Sequence, residues 1–235
     1  MGLSQRKPSG RDMSGGGEQW LVIGISGVTC GGKTTLAGWL RDRLRPVSVL
    51  HQDKYFFPDD SPQHVPVPGL SPPHNNYDVL GALDMAAMLR DARDVLAGQP
   101  RAHEHADQAE PQHFTLPGKK FLILEGFTVL NYQPLMDLCD LRYYFTLEYS
   151  ECLGRRIYRL YDPPDVDGYF DQCVWPEHLK YKAQLEGDRR VRMLDGARQD
   201  ALELVLADLR ARDTRQHTTD THDTHDTHDT PGPPC

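Results

Sequence analysis

The sequence contains no apolar run of the about 20 residues that a helix needs to cross a bilayer. It has no C-x-x-C pair. Its cysteines, Cys30, Cys139, Cys152, Cys173 and Cys235, are scattered and odd in number, which argues against a disulfide framework and fits a reducing compartment. Positive charge is short: 26 Lys and Arg stand against 34 Asp and Glu, a formal net charge of -8. A general nucleic-acid binder needs a basic face, so nucleic acid is not an expected partner. A small anionic ligand stays open, because a phosphate site is local. Residues 1–18 are polar and Gly-rich, without the apolar core of a signal peptide. They begin Met-Gly, but Arg6 stands where a myristoylation signal takes Ser or Thr. The expectation is a soluble protein, cytoplasmic or nucleocytoplasmic, with no membrane partner.

What is present suffices for one domain: 235 residues with 38% hydrophobic content. Residues 1–18 read as a disordered leader. WLVIGI (20–25), VSVLHQ (47–52), KFLILEGFTVL (120–130) and LRYYFTL (141–147) are apolar runs typical of buried parallel strands, and VRML (191–194) is a shorter candidate. Between them lie helical patterns. Leu36, Leu40 and Leu44 share one face of 34–45. The segment 84–98 opens on Asp84 as an N-cap and stops at Gly98. Residues 150–161, 175–190 with Pro176 in the first turn, and 199–212 complete the set. Strands alternating with helices predict a three-layer α/β domain over 19–212. Residues 213–235 end in a His-Asp-Thr repeat with no core-forming residue, and read as a disordered low-complexity tail. Its histidines leave weak metal binding as an alternative to an appendage without function.

The strongest chemical signal is GVTCGGKT (27–34), which satisfies G-x-x-x-x-G-K-[ST] between a strand and a helix. Gly27, Val28, Thr29, Cys30, Gly31 and Gly32 would turn backbone N–H groups around phosphate oxygens, and the helix adds its positive end. Lys33 would reach the β- and γ-phosphates, and Thr34 would offer its hydroxyl to Mg²⁺. GTPases, motors and small-molecule kinases share this cradle. No N-K-x-D for guanine is present.

In such a sheet, ligands gather at the carboxyl ends of the strands. Asp53 and Glu125 both close strands there. Asp53 suits a base for an alcohol acceptor, or it caps a turn. Glu125 suits Mg²⁺ or the acceptor, or it is a solvated strand end. Arg155, Arg156 and Arg159 share one predicted helix, a crowding that anions relieve; a basic solvent face is the alternative. Tyr161, Asp165, Tyr169 and Asp171 lie in the next loop, and Tyr77–Asp78 form a second polar-aromatic pair. Carboxylates can bind ribose hydroxyls, and a cationic ring would stack on tyrosine. Spacing alone does not bring the two patches together.

GISGVTCGGKTT (24–35), HQDKYFF (51–57), YDVLGALDM (77–85), ILEGF (123–127), YFTLEYSEC (144–152), the arginine helix and DPPDVDGYFDQCVWP (162–176) together resemble the nicotinamide riboside kinase family, itself related to uridine kinases. The resemblance implies a P-loop nucleoside triphosphate hydrolase fold of the nucleoside-monophosphate-kinase kind, a parallel sheet with helices on both faces and a lid near 155–171. It implies transfer of the ATP γ-phosphate, with Mg²⁺, to the 5′-hydroxyl of nicotinamide riboside and also of nicotinic acid riboside, in NAD synthesis. Asp53 would then be the base, with Lys33 and Glu125 catalytic beside it, Thr34 and Glu125 serving the metal, and Thr35 joining the ATP site. Asp78 and Arg156 would bind the ribose, Tyr77 and Tyr161 would sandwich the pyridine ring, and Asp165 would approach that ring or its carboxamide. Arg155 and Arg159 would lie in the lid over ATP. Uridine/cytidine kinases share the fold, and a catalytically weak relative that binds a cell-adhesion partner is the other alternative. Lys54, a long Pro-rich loop after Asp53, and Gly154 within the arginine helix depart from the family pattern.

Overall fold

A computed structural model of the protein describes residues 19–99 and 114–220. The leader 1–18 and residues 221–235 of the tail lie outside the described residues, as does part of the polar segment after Gln99. Five strands form one parallel sheet: β1 (Gln19–Gly27), β2 (Val47–His51), β3 (Lys119–Glu125), β4 (Leu141–Thr146) and β5 (Val191–Asp195), in the order β2-β3-β1-β4-β5. β1 is central and buried from Leu21 onward. That is why its sequence is a continuous apolar run rather than an alternating one. The helices are α1 (Lys33–Arg43), α2 (Met85–Leu96), α3 (Gln133–Met136), α4 (Tyr149–Arg156), α5 (Trp175–Leu185) and α6 (Ala201–Asp220).

The pleat sends successive side chains to opposite faces, and the two cores divide accordingly. Leu21, Ile23 and Ile25 of β1 meet Leu36 and Leu40 of α1 and Val205 and Leu209 of α6. Val22 joins Leu122 and Leu124 of β3, Met88 and Leu89 of α2, and Leu135 of α3 on the other side. Fully burying each such side chain contributes about 1.5–3 kcal/mol, so both helical layers are held to the sheet. This is the expected α/β architecture, with helices on both faces of a parallel sheet. Among the described residues, no helix is long and apolar enough to cross a membrane.

The boundaries differ in four places. The apolar run 120–130 is strand only to Glu125; the chain then leaves the sheet and folds Val129–Asn131 into a 3-10 turn. The helix expected over 150–161 ends at Arg156. Beyond it, Ile157, Tyr158 and Leu160 are exposed, so no apolar burial supports further turns. The helix expected to 190 stops at Leu185, because Asp188 accepts hydrogen bonds from the Arg190 backbone at 2.9 Å and from its side chain, favouring a turn. α6 continues past residue 212 to Asp220, into the stretch assigned to the tail; no Gly or Pro interrupts it there.

Asp84 caps α2 as expected, accepting from the Ala87 amide at 2.8 Å. The carboxyl ends of β1, β2 and β3 stand side by side, with Ile25, Glu125 and His51 in register. The candidate site is built on this edge.

Candidate active site

Gly27 ends β1 at φ 121°, and a Cβ there would overlap the backbone of Phe145, so the cradle's first turn requires glycine. Gly32, also at positive φ, is the N-cap of α1, and no side chain caps that helix. Its first-turn amides therefore have no side-chain acceptor and can meet an anion. The Lys33 side chain folds into the loop and donates to the Val28 carbonyl at 2.7 Å. Burial holds its pKa below the ordinary lysine value, although Glu125 and Asp53 nearby pull it upward.

Opposite the cradle, Glu125 takes two partners. Thr34 Oγ1 donates to its Oε1 at 3.0 Å, and His51 Nδ1 lies 2.8 Å from its Oε2. His51 was not singled out from the sequence. It faces Glu125 across the β2–β3 pair, a neighbour visible only once the strand register is known. Burial by itself would raise the Glu125 pKa, but the His51 hydrogen bond, the Lys33 charge and Thr34 outweigh it and hold the carboxyl below its ordinary value. Asp53, in the 3-10 turn Gln52–Tyr55, goes the other way. Burial and then the Glu125 charge push its pKa up, against Lys33 and Arg159. Two neighbouring carboxyls are thus driven apart in basicity, the pattern that separates a proton acceptor from a permanently ionised group.

Beyond Asp53 the two patches left apart by the sequence meet. A cavity of about 300 Å³ is lined by Lys33, Thr34, Asp53 and Glu125 at one end and by Tyr77, Asp78, Arg156, Tyr161 and Asp165 at the other. Arg156 is 6% exposed and holds Asp165 through two bonds, at 2.6 and 2.9 Å, while donating to Thr29 Oγ1 at 3.2 Å. The same Thr29 hydroxyl lies 3.0 Å from the Tyr161 hydroxyl, and the Tyr161 ring packs 4.2 Å from the Arg156 guanidinium. One face of that ring is therefore in use, and Asp165 is paired rather than free. Asp78 is half-buried, and its desolvation raises its pKa; Tyr169 donates to it at 2.8 Å while accepting from the Tyr77 amide at 2.9 Å. Tyr169, noted only as part of a loop, thus orients both residues of the Tyr77–Asp78 pair.

The arginines separate. Arg159 lies beyond the end of α4 and lines the cavity. Arg155 does not line it. Its guanidinium donates to the carbonyls of Cys30 at 3.1 Å and Gly196 at 3.0 Å and to Glu151 at 2.5 Å, bracing the cradle from outside. These bonds engage Nη1 and Nη2 at the back of the loop, whereas the sequence reading sets Arg155 over ATP. Thr35 stands exposed on the first turn of α1 and is not part of the cavity wall. Phe56 and Phe127, stacked with centroids 6.1 Å apart, add an apolar wall.

No protein-family profile matches the chain. Individual relatives do. It is 38% identical over 193 residues to human Nicotinamide riboside kinase 2, covering 80% of each chain. It is 37% identical over 200 residues to rat Nicotinamide riboside kinase 1, covering 84% of this chain and 97% of that one. A Uridine kinase of Shewanella denitrificans is 30% identical over 154 residues, 60% of this chain and 69% of its own. Among solved structures, a Janibacter sugar kinase superposes with a TM-score of 0.50 at 14% identity, over 80% of this chain and 92% of that one, a likeness of fold. With a complete phosphate cradle, two carboxyls of opposed basicity and these relatives spanning most of its length, the chain belongs to the nicotinamide riboside kinase family of P-loop nucleoside kinases.

Proposed function

We propose that the protein transfers the γ-phosphate of ATP to the 5′-hydroxyl of nicotinamide riboside, giving nicotinamide mononucleotide, and that it also takes nicotinic acid riboside. The observation that carries this is the single cavity joining Lys33 and Thr34 to Asp53 and to the Tyr77, Asp78, Arg156 and Tyr161 group. The human and rat relatives, named as nicotinamide riboside kinases, support the substrate.

Asp78 and Arg156 hold the ribose diol, and Tyr77 packs on the pyridinium, a cation suited to aromatic faces and nearby carboxylates. Asp53 accepts the proton of the 5′-hydroxyl as that oxygen bonds to the γ-phosphorus and the bridging bond to the β-phosphate breaks. Its raised pKa makes it a better acceptor than an ordinary aspartate. Lys33, the loop amides and Arg159 balance charge on the phosphates. The side-by-side oxygens of Thr34 and Glu125, 3.0 Å apart, fit Mg²⁺, which takes few protein ligands when it arrives with phosphates and water. A Mg²⁺ ion held by these two oxygens would supply positive charge to the phosphates. The segment 155–171, carrying Arg159, Tyr161 and Asp165, serves as the lid.

A uridine or cytidine kinase is the second reading, favoured by the Shewanella relative. Purified protein given ATP and Mg²⁺ with nicotinamide riboside, uridine or cytidine at equal concentration decides between them by ADP release. Nicotinamide riboside is expected to be the best acceptor. A tenfold preference for a pyrimidine nucleoside would overturn the substrate, and no ADP with any nucleoside would overturn the activity.

A further inference from the structure

The loop after Asp53, long and rich in proline, folds into a wall around Tyr77. Its two arms are tied by the bonds Val67 N–H to the His74 carbonyl and Asn76 N–H to the Val65 carbonyl, both 2.8 Å. Leu70 at its tip is buried with Val28, Leu147, Tyr169 and Phe170. Two histidines from this loop flank the Tyr77 ring, His64 at 4.9 Å and His74 at 5.4 Å between centroids.

The two are used differently. His64 Nε2 donates to the carbonyls of Phe57 and Pro58, at 3.1 and 3.0 Å, so it staples the loop to itself, and it does not line the cavity. His74 does line it. It is only 9% exposed, wedged edge-on against Tyr169 at 4.5 Å and against Tyr77. Among the described residues its imidazole nitrogens make no hydrogen bond. The charged groups around it are Asp165 and Arg156 of the lid, Asp78 beside Tyr77, and Asp59 of its own loop. A polar side chain without a protein partner, in the wall of a ligand cavity, is a group that a ligand can satisfy.

We propose that His74 is the residue with which this chain distinguishes the amide from the acid form of its pyridine nucleoside, its unpaired imidazole meeting the ring substituent beside Tyr77. The inference rests on the function proposed above. A neutral imidazole offers one N–H and one lone pair. A carboxamide offers the complementary oxygen and NH₂. A carboxylate offers acceptors only, so the neutral ring can meet it through the N–H alone, whereas either tautomer meets the amide; the carboxylate also adds a negative charge near Asp59, Asp78 and Asp165. Burial holds the His74 pKa below the ordinary histidine value, although Asp165 and Asp78 pull it upward. At neutral pH the ring is therefore uncharged and favours the amide. Once protonated at lower pH it carries two donors and a charge, which suit the acid. The ratio of amide to acid preference thus falls as pH is lowered through the His74 titration.

The test measures kcat/KM for both nucleosides from pH 5.5 to 8 in the wild type, His74→Phe and His74→Asn. Every titration common to both substrates cancels in the ratio. The wild type is expected to prefer the amide near pH 7.5 and to lose preference progressively toward the acid end. His74→Phe should lower the ratio at pH 7.5 fivefold or more, through KM for the amide, and leave it flat with pH. His74→Asn, which keeps a donor and an acceptor without the titration, should retain the preference and lose the pH dependence. A His74→Phe ratio within twofold of wild type, or the wild-type pH dependence persisting in either variant, overturns the assignment while the kinase reading stands. A wild type that phosphorylates neither pyridine nucleoside overturns that reading, and this inference with it.

Discussion

Removing one oxygen, in Tyr169→Phe, tests how the nucleoside end of the cavity is held. The ring is 1% exposed and stays in place, so no apolar contact is lost. Two hydrogen bonds are: the one received from the Tyr77 amide at 2.9 Å and the one given to the Asp78 carboxyl at 2.8 Å. A bond to a charged group is worth about 1.5–3 kcal/mol, and an orphaned buried amide costs about 1–3 kcal/mol. Water from the adjoining cavity recovers part of this, which leaves a loss of about 3 kcal/mol. For a domain of this size that lowers Tm by about 6–12 °C. Asp78 is then no longer aimed, so KM for the nucleoside should rise about tenfold, equivalent to ~1.4 kcal/mol, with kcat nearly unchanged and KM for ATP unchanged. Thermal denaturation and steady-state kinetics on the same preparation read both effects. A Tm within about 2 °C of wild type together with an unaltered nucleoside KM would refute the role given to this hydroxyl.

Asp53→Asn should lower kcat by about 10²–10⁴-fold, the usual contribution of a general base, and leave ATP binding intact by calorimetry; turnover within tenfold of wild type would remove Asp53 from that role. The wild-type enzyme supplies a matching pH signature. The active form of Asp53 is ionised and its pKa is raised, so kcat/KM should fall as pH drops through a value above the ordinary aspartate's ~3.9, and an acid limb at or below that value would contradict the site. Gly126→Ala would drive a methyl group into Gln52, whose buried amide bridges to the Thr128 hydroxyl at 2.9 Å and the Thr128 N–H at 3.1 Å. We expect about 1–3 kcal/mol of destabilisation and a lowered kcat, because Gln52 precedes Asp53 and Gly126 follows Glu125; wild-type stability by denaturant titration would show that this junction yields freely.

The apolar runs of β1, β3 and β4 were legible because strands covered on both faces need no polar residues. The cradle was legible because its chemistry is backbone geometry written as glycine spacing. The end of β3 was not: Phe127, Val129 and Leu130 are as apolar as the strand before them, but they pack over the sheet rather than in it. Nor was the end of α4, since Ile157 and Leu160 continue a helical pattern that finds nothing to bury against. The site residues Lys33, Asp53, Glu125, Tyr77, Asp78, Arg156, Tyr161 and Asp165 were each nameable, yet their meeting in one cavity depends on tertiary packing that spacing does not encode. Arg155 is nameable by type as well, but its hydrogen bonds to the Cys30 and Gly196 carbonyls follow from tertiary packing and not from spacing. His51 and His74 carry no sequence signal, and Thr29 and Tyr169 are readable only as a cradle residue and a loop residue, because a hydroxyl or an imidazole has meaning only through its partner.

The Lys33 ammonium is buried against the Val28 carbonyl at 2.7 Å, so folding exchanges most of its hydration for protein contacts. An arriving triphosphate therefore exchanges one oxygen for another and does not have to strip a hydrated cation. The cost of drying that charge falls on folding, so the resting protein is less stable than it would be with an apolar residue at this position, and ligand binding returns the difference. Occupancy of the cradle should thus tighten the whole sheet edge on which it stands.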